Sequence, residues 1–172
     1  YALRRVKRKL WFPLFALVLL LCCAACFPWI KTAAWVIRYD VDTAGKIDDI
    51  CTVAKQAGFD ELLVQVRGRA DAFYRSDVAP WPESLADAPA DFDPLARTLD
   101  QCAPVPVHAW LNVFYLWGDV TPPKDPTHPG SPDKPWILSD DEGIPLTAYS
   151  EFDRKRNWLE GVYADPASPA YR

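Results

Sequence analysis

The sequence predicts an α/β fold, the N-terminal half of a (β/α)8 TIM barrel with about four βα units, preceded by an N-terminal hydrophobic helix. Three observations carry this expectation. Apolar segments of strand length alternate with amphipathic helical segments from Ala33 onward. The second strand is nearly continuous in apolar residues, as a parallel strand buried on both faces requires. In AGFDELLVQVRGRADAFYRS, Ala57 to Ser76, that strand runs straight into a charged, glycine-containing loop. A parallel strand ending this way delivers polar side chains to its carboxyl end, the edge where α/β folds keep their binding chemistry.

The elements follow in order. AAWVIRY opens the folded part as strand one, and a helix from about Lys46 to Ala57 places Ile47, Ile50, Val53 and Ala54 on one face. Thr43 is positioned to cap that helix and Gly58 to end it. Strand two covers Glu61 to Val66. A helix from Pro94 to Gln101 leads to strand three, Val105 to Val113, and a short fourth strand is expected at Gly161 to Ala164. A full barrel needs about 250 residues, so these elements amount to half of one.

Composition suits a single globular domain: 172 residues, 50% hydrophobic and 24% charged. The 17 prolines gather between Pro80 and Pro145, which points to long structured loops between core elements. Within them, the stretch from Thr121 to Tyr149 is expected to form a lid or wall, with Asp140, Asp141 and Glu142 in a solvated turn.

Charge divides the chain. Arg4, Arg5, Lys7, Arg8 and Lys9 precede an apolar run from Leu10 to Ile30, and no acidic residue appears before Asp40. This order is that of a secretory signal or a signal anchor, so residues 1–32 are expected to be a signal peptide or membrane anchor and 33–172 the exported domain. Ala24 and Ala25 before Cys26 resemble a lipoprotein processing site with Cys26 as the lipidated residue, although Cys23 stands where that motif usually has leucine. An uncleaved anchor is the alternative, since the run reaches the roughly 20 residues that span a bilayer. Beyond the basic cluster the chain is acidic, which argues against nucleic acid as a partner and toward neutral or cationic substrates. Cys51 and Cys102 lie on helices expected to be neighbours, where pairing and simple burial both fit.

Chemistry is then sought at the strand ends. Asp165, after the fourth strand, is the first candidate for a catalytic carboxylate, with capping of a following helix as its structural alternative; Asp71, beyond strand two, is the second, with ion pairs to Arg69 and Arg75 that hold its loop as the alternative. Arg38, Arg67 and Arg69 are expected near the mouth, where a guanidinium fork grips hydroxyls or a carboxylate. Gln65 is expected to point inward with its amide hydrogen-bonded, either within a core layer or to a ligand. His108, Trp110 and Asn112 alternate along one face of strand three, toward the expected barrel interior. Asn112 suits ligand contact by its amide and Trp110 or Trp117 by stacking, with Asn112 and Trp117 preferred, and His108 suits a core network. No phosphate-binding glycine loop, nucleophile elbow or metal-spaced His/Cys cluster occurs, so neither a cofactor nor a metal is implied.

The motifs AAWVIRYDV, AGFDELLVQVRGRADAFYRSDVAPW, FDPLARTLD, VHAWLNVFYLW and GVYADPASPAYR resemble, in that order, the glycoside-hydrolase-like family ten of bacterial envelope lipoproteins. The resemblance covers essentially everything after Ala33. It implies a (β/α)8 barrel, a membrane-anchored envelope location outside the cytoplasm and action on a polysaccharide or oligosaccharide as a glycosidase. Ala70 departs from it, standing where the family commonly has the second glycine of RGRGDA. A non-catalytic carbohydrate-binding or envelope-organising lipoprotein is the alternative function.

Overall fold

Strand β1, Ala33–Val36, pairs in parallel with β2, Glu61–Arg67, and β2 pairs in parallel with β3, Val107–Leu111, giving a sheet in the order β1-β2-β3. This is a computed structural model, which describes residues 31–171. The expected anchor segment and Cys26 therefore lie outside the described residues. Among the described residues, no helix is long and apolar enough to cross a membrane.

Helix α1, Ala44–Ala57, starts where the Thr43 side chain accepts a hydrogen bond from the Lys46 amide, and ends at Gly58 with φ 72°. Glycine tolerates that left-handed conformation without penalty. Helix α2, Pro94–Cys102, has Asp93 accepting from the Ala96 amide and proline in its first turn, where no backbone donor is lost. Both helices cover one face of the sheet. Ile47, Ala54, Leu62, Val64, Phe73 and Cys102 are fully buried in the resulting core, and each large apolar side chain there contributes roughly 1.5–3 kcal/mol by leaving water. Cys51 and Cys102 are joined by a disulfide with Cα atoms 4.6 Å apart, tying α1 to α2. Burial alone, the other sequence reading, is superseded. Val53, expected on the buried helix face, is instead 58% exposed, beside an apolar groove along the free edge of β1.

The half-barrel does not form. Beyond β3 the chain makes β4, Tyr115–Trp117, and the segment expected as a fourth parallel strand becomes β5, Val162–Tyr163, antiparallel to β4 in a separate two-stranded sheet. Two physical reasons account for this. A further parallel strand needs a crossover helix with an apolar stripe to lie on the sheet, whereas the connection from Trp117 to Gly161 is broken by Pro122, Pro123, Pro126, Pro129, Pro132, Pro135 and Pro145. Its one α-helix, α3 (Glu151–Arg156), has the sequence EFDRKR, and its Phe152 is 70% exposed. The second reason is Gly161, where a Cβ would come within 2.3 Å of the Trp117 carbonyl oxygen, so the missing side chain is what lets β5 close against β4. The molecule is thus a small α/β fold with a three-stranded parallel sheet and a separate two-stranded antiparallel one.

Candidate functional site at the carboxyl edge of the parallel sheet

The carboxyl ends of β1, β2 and β3 deliver Arg38, Arg67 and Asn112 to one edge. At the end of β1 the backbone turns in a short 3-10 helix, Arg38–Asp40. The Arg38 amide donates to Gln65 Oε1 at 3.4 Å, so the buried Gln65 amide is satisfied by backbone as its burial demands. The Arg38 guanidinium is buried over Gly68; a Cβ at Gly68 would sit 2.0 Å from Nη1. Any side chain at that position would force the Arg38 guanidinium to move. Nη2 of Arg38 donates to the Tyr39 hydroxyl at 2.6 Å, and Nε has no partner.

Arg67 is the last residue of β2, directly before Gly68. Its Nη2 donates to the Tyr171 hydroxyl at 3.4 Å, and its carbonyl accepts from the Asn112 amide at 2.9 Å. Asn112 Nδ2 donates to the Gly68 carbonyl at 3.2 Å, closing the loop end of β2 against that of β3. Arg69 reaches toward the antiparallel sheet, with Nη1 donating to Asp119 at 3.0 Å and its guanidinium 4.5 Å from the Trp117 ring centre. The Trp117 ring is buried, donates Nε1–H to the Thr121 carbonyl at 2.8 Å and meets the His128 ring edge-on at 5.1 Å. Among the sequence candidates, Arg38, Gln65, Arg67, Arg69, Asn112 and Trp117 therefore form one connected set.

Two candidates are placed elsewhere. His108 and Trp110 do share a face with each other, but that face is open rather than the interior of a barrel. His108 is more than half exposed and bonds Glu61 at 3.1 Å, so it belongs to no core network. Trp110 packs edge-on against Trp35 at 4.9 Å, with Trp35 itself 64% exposed.

Both carboxylate candidates are engaged by backbone. Asp71 is 1% exposed and its Oδ1 accepts from the Arg69 amide at 3.0 Å, holding the RGRAD loop in which Ala70 takes a φ of 63°. The ion pair of Arg69 goes to Asp119 rather than Asp71. Asp165 Oδ1 accepts from the Ala167 amide at 2.8 Å in a turn, and its carbonyl accepts from Ser168. The expected helix after Asp165 is a turn instead. Asp165 does lie close to the set: the preceding Ala164 amide donates to the Phe114 carbonyl at 2.8 Å, and its own amide to the Trp136 carbonyl, whose ring packs near Tyr171.

Residues that sequence reasoning missed complete the edge. Tyr171 donates to the Val113 carbonyl at 2.5 Å while accepting from Arg67. Burial pushes the Tyr171 hydroxyl above its ordinary pKa, against the pull of Arg67, and burial does the same for Tyr115 against Arg38 and Arg69. Both remain neutral donors. His128 is buried in the proline-rich loop; Nδ1 accepts from the Gly130 amide at 3.0 Å, and burial lowers its pKa despite the nearby Asp71 charge. Beside Trp117 a groove of about 590 Å³ is lined by both charged and apolar side chains, among them Glu83, Lys124, Arg154, Val120 and Leu159. Asp140, in the expected solvated turn, bonds Tyr149, whose hydroxyl pKa is pushed up to about 12. Among the described residues no group of three or more His, Cys, Asp or Glu side chains is placed to hold a metal ion. No protein-family model matches this chain, and no curated protein matches it.

Proposed function

We propose that this chain is an exported, membrane-tethered glycoside-hydrolase-like protein acting on a polysaccharide of the bacterial envelope or its surroundings. The observation that carries this reading is the convergence of Arg38, Arg67 and Asn112 with Tyr171 at the carboxyl edge of three parallel strands. Planar donors beside aromatic rings suit the hydroxyls and apolar face of a sugar. The motif resemblance supports the same class. The Cys51–Cys102 disulfide supports an oxidising location outside the cytoplasm, as do the basic and apolar segments ahead of residue 33.

Hydrolysis needs an acid and a second carboxylate. In this reading Asp165 takes the first role, because only its Oδ1 is committed to the turn. A second reading, a saccharide-binding protein without turnover, is favoured by one observation: Asp71 is fully buried and held by the Arg69 amide. Asp165→Asn in the full natural chain separates the two. Loss of polysaccharide cleavage with binding retained supports hydrolysis through Asp165. Cleavage unchanged removes Asp165 from catalysis, and binding without cleavage by the unsubstituted protein supports the second reading.

A further inference from the structure

We infer that His128 is a proton-driven latch: taking up a proton frees the turn from Asp125 to Ser131 from β4 and lets water reach Trp117. The inference holds whatever the edge of the sheet binds. His128 is 3% exposed, and its Nδ1 accepts the Gly130 amide hydrogen at 3.0 Å. A ring nitrogen that accepts carries no proton, so this bond requires the neutral imidazole. Protonation sets a second N–H against that of Gly130, and the bond is lost.

Gly130 is the point at which the turn meets β4. A Cβ there would come within 3.0 Å of the Trp117 Cβ and 3.3 Å of the Leu116 Cβ, so the backbone itself packs on the strand. A small cavity lined by Trp117, Gly130, Pro132 and Arg154 shares Trp117 and Arg154 with the groove beside Trp117. Moving Gly130 away opens that cavity. The Trp117 ring, edge-on to the imidazole at 5.1 Å, already has the Arg69 guanidinium 4.5 Å from its centre. An imidazolium brings a second cation to the same ring, in a place closed to water.

The charged groups that act on the imidazole come from three segments. Asp71 lies on the loop after β2, together with Arg69; Glu83 lies in the short 3-10 helix Glu83–Leu85, and Asp125 in the turn of His128 itself. Burial resists the proton more strongly than these three carboxylates attract it. The Arg69 carbonyl adds little, since Nε2 is buried without a hydrogen bond of ordinary geometry. The latch is therefore closed at neutral pH and opens below about pH 6.5.

The test is amide hydrogen exchange of the full natural chain, read by NMR from about pH 7.5 to about pH 4.5 with rates corrected for the intrinsic effect of pH. The expected result is that protection of Gly130 falls about tenfold or more through a midpoint below about pH 6.5, and that the Trp117 indole N–H shifts with the same midpoint. Protection of Cys51 and Ala54 in α1 should hold. His128→Asn keeps an oxygen that can accept from Gly130 and takes up no proton, so Gly130 should stay protected throughout. If that variant fails to fold, the natural chain still decides, because its His128 ring signals must titrate with the midpoint seen at Gly130. Constant Gly130 protection across the range overturns the inference, as does a transition that persists in His128→Asn. Loss of protection in α1 at the same pH overturns it too, since the whole fold is then unfolding rather than one turn.

Discussion

The Arg67 guanidinium meets the Tyr171 hydroxyl at 3.4 Å, and that hydroxyl donates its own hydrogen to the Val113 carbonyl. One oxygen thus joins the ends of β2 and β3 to a segment 104 residues further along the chain from Arg67. Tyr171→Phe keeps the ring beside Phe114 and Trp136 but removes both hydrogen bonds. The expected cost is about 1 kcal/mol of unfolding free energy in urea. A change below the error of that titration would show that the bridge contributes nothing.

The Cys51–Cys102 disulfide closes a loop across 51 positions of sequence. On the chain-entropy account, a loop of that size stabilises the fold by roughly 4 kcal/mol. Guanidinium unfolding of the oxidised protein against Cys51→Ser/Cys102→Ser should show a drop of up to about that size. Free thiols in the purified, unreduced protein would contradict the pairing itself.

Ala70 is buried at φ 63°, a conformation that costs a non-glycine residue about 1–2 kcal/mol. Ala70→Gly relieves that cost while losing a buried methyl group and gaining unfolded-chain entropy, so the expected net change is within about 1 kcal/mol. Ala70→Val adds a β-branched side chain in a left-handed site and should destabilise by at least about 2 kcal/mol. Equal stability of the valine and alanine proteins would mean the loop adopts another path.

Burial lowers the pKa of His128, with Asp71 and Asp125 opposing the shift. The unfolded chain therefore takes up a proton below about pH 6.5 that folded His128 resists. The stability involved is complete above that pH and lost as pH falls toward the depressed folded value. His128→Gln should flatten the dependence of unfolding free energy on pH between about 7 and 5 relative to the natural protein. Parallel profiles would place the imidazole in solvent.

Local chemistry made much of the parallel sheet legible. Thr43, Gly58, Asp93 and Pro94 bound their helices as their side chains dictate, and the apolar run of β2 marks a strand buried between neighbours. The short strand near Gly161 to Ala164 was legible, but its antiparallel pairing with β4 was not, because that pairing depends on Gly161 approaching a carbonyl far away in sequence. The alternation of His108 and Trp110 correctly places them on one face; what lies over that face is a tertiary fact that strand pattern does not encode. Tyr171 carries no local signal, since its role exists only once Arg67 is beside it. Arg38 and Arg67 were visible as donors at strand ends, yet their hydrogen bonds to the Tyr39 and Tyr171 hydroxyls emerge only from the fold.

The most direct measurement is the amide chemical-shift map of the isotopically labelled protein titrated with an oligosaccharide prepared from bacterial envelope polysaccharide. The account predicts saturable shifts concentrated at Gly68, Asn112 and Tyr171, with Gly45 at the start of α1 and Gly143 in the distant turn unmoved. Shifts centred instead on Trp35 and Val53 beside β1, with Gly68 and Asn112 unchanged, would contradict it.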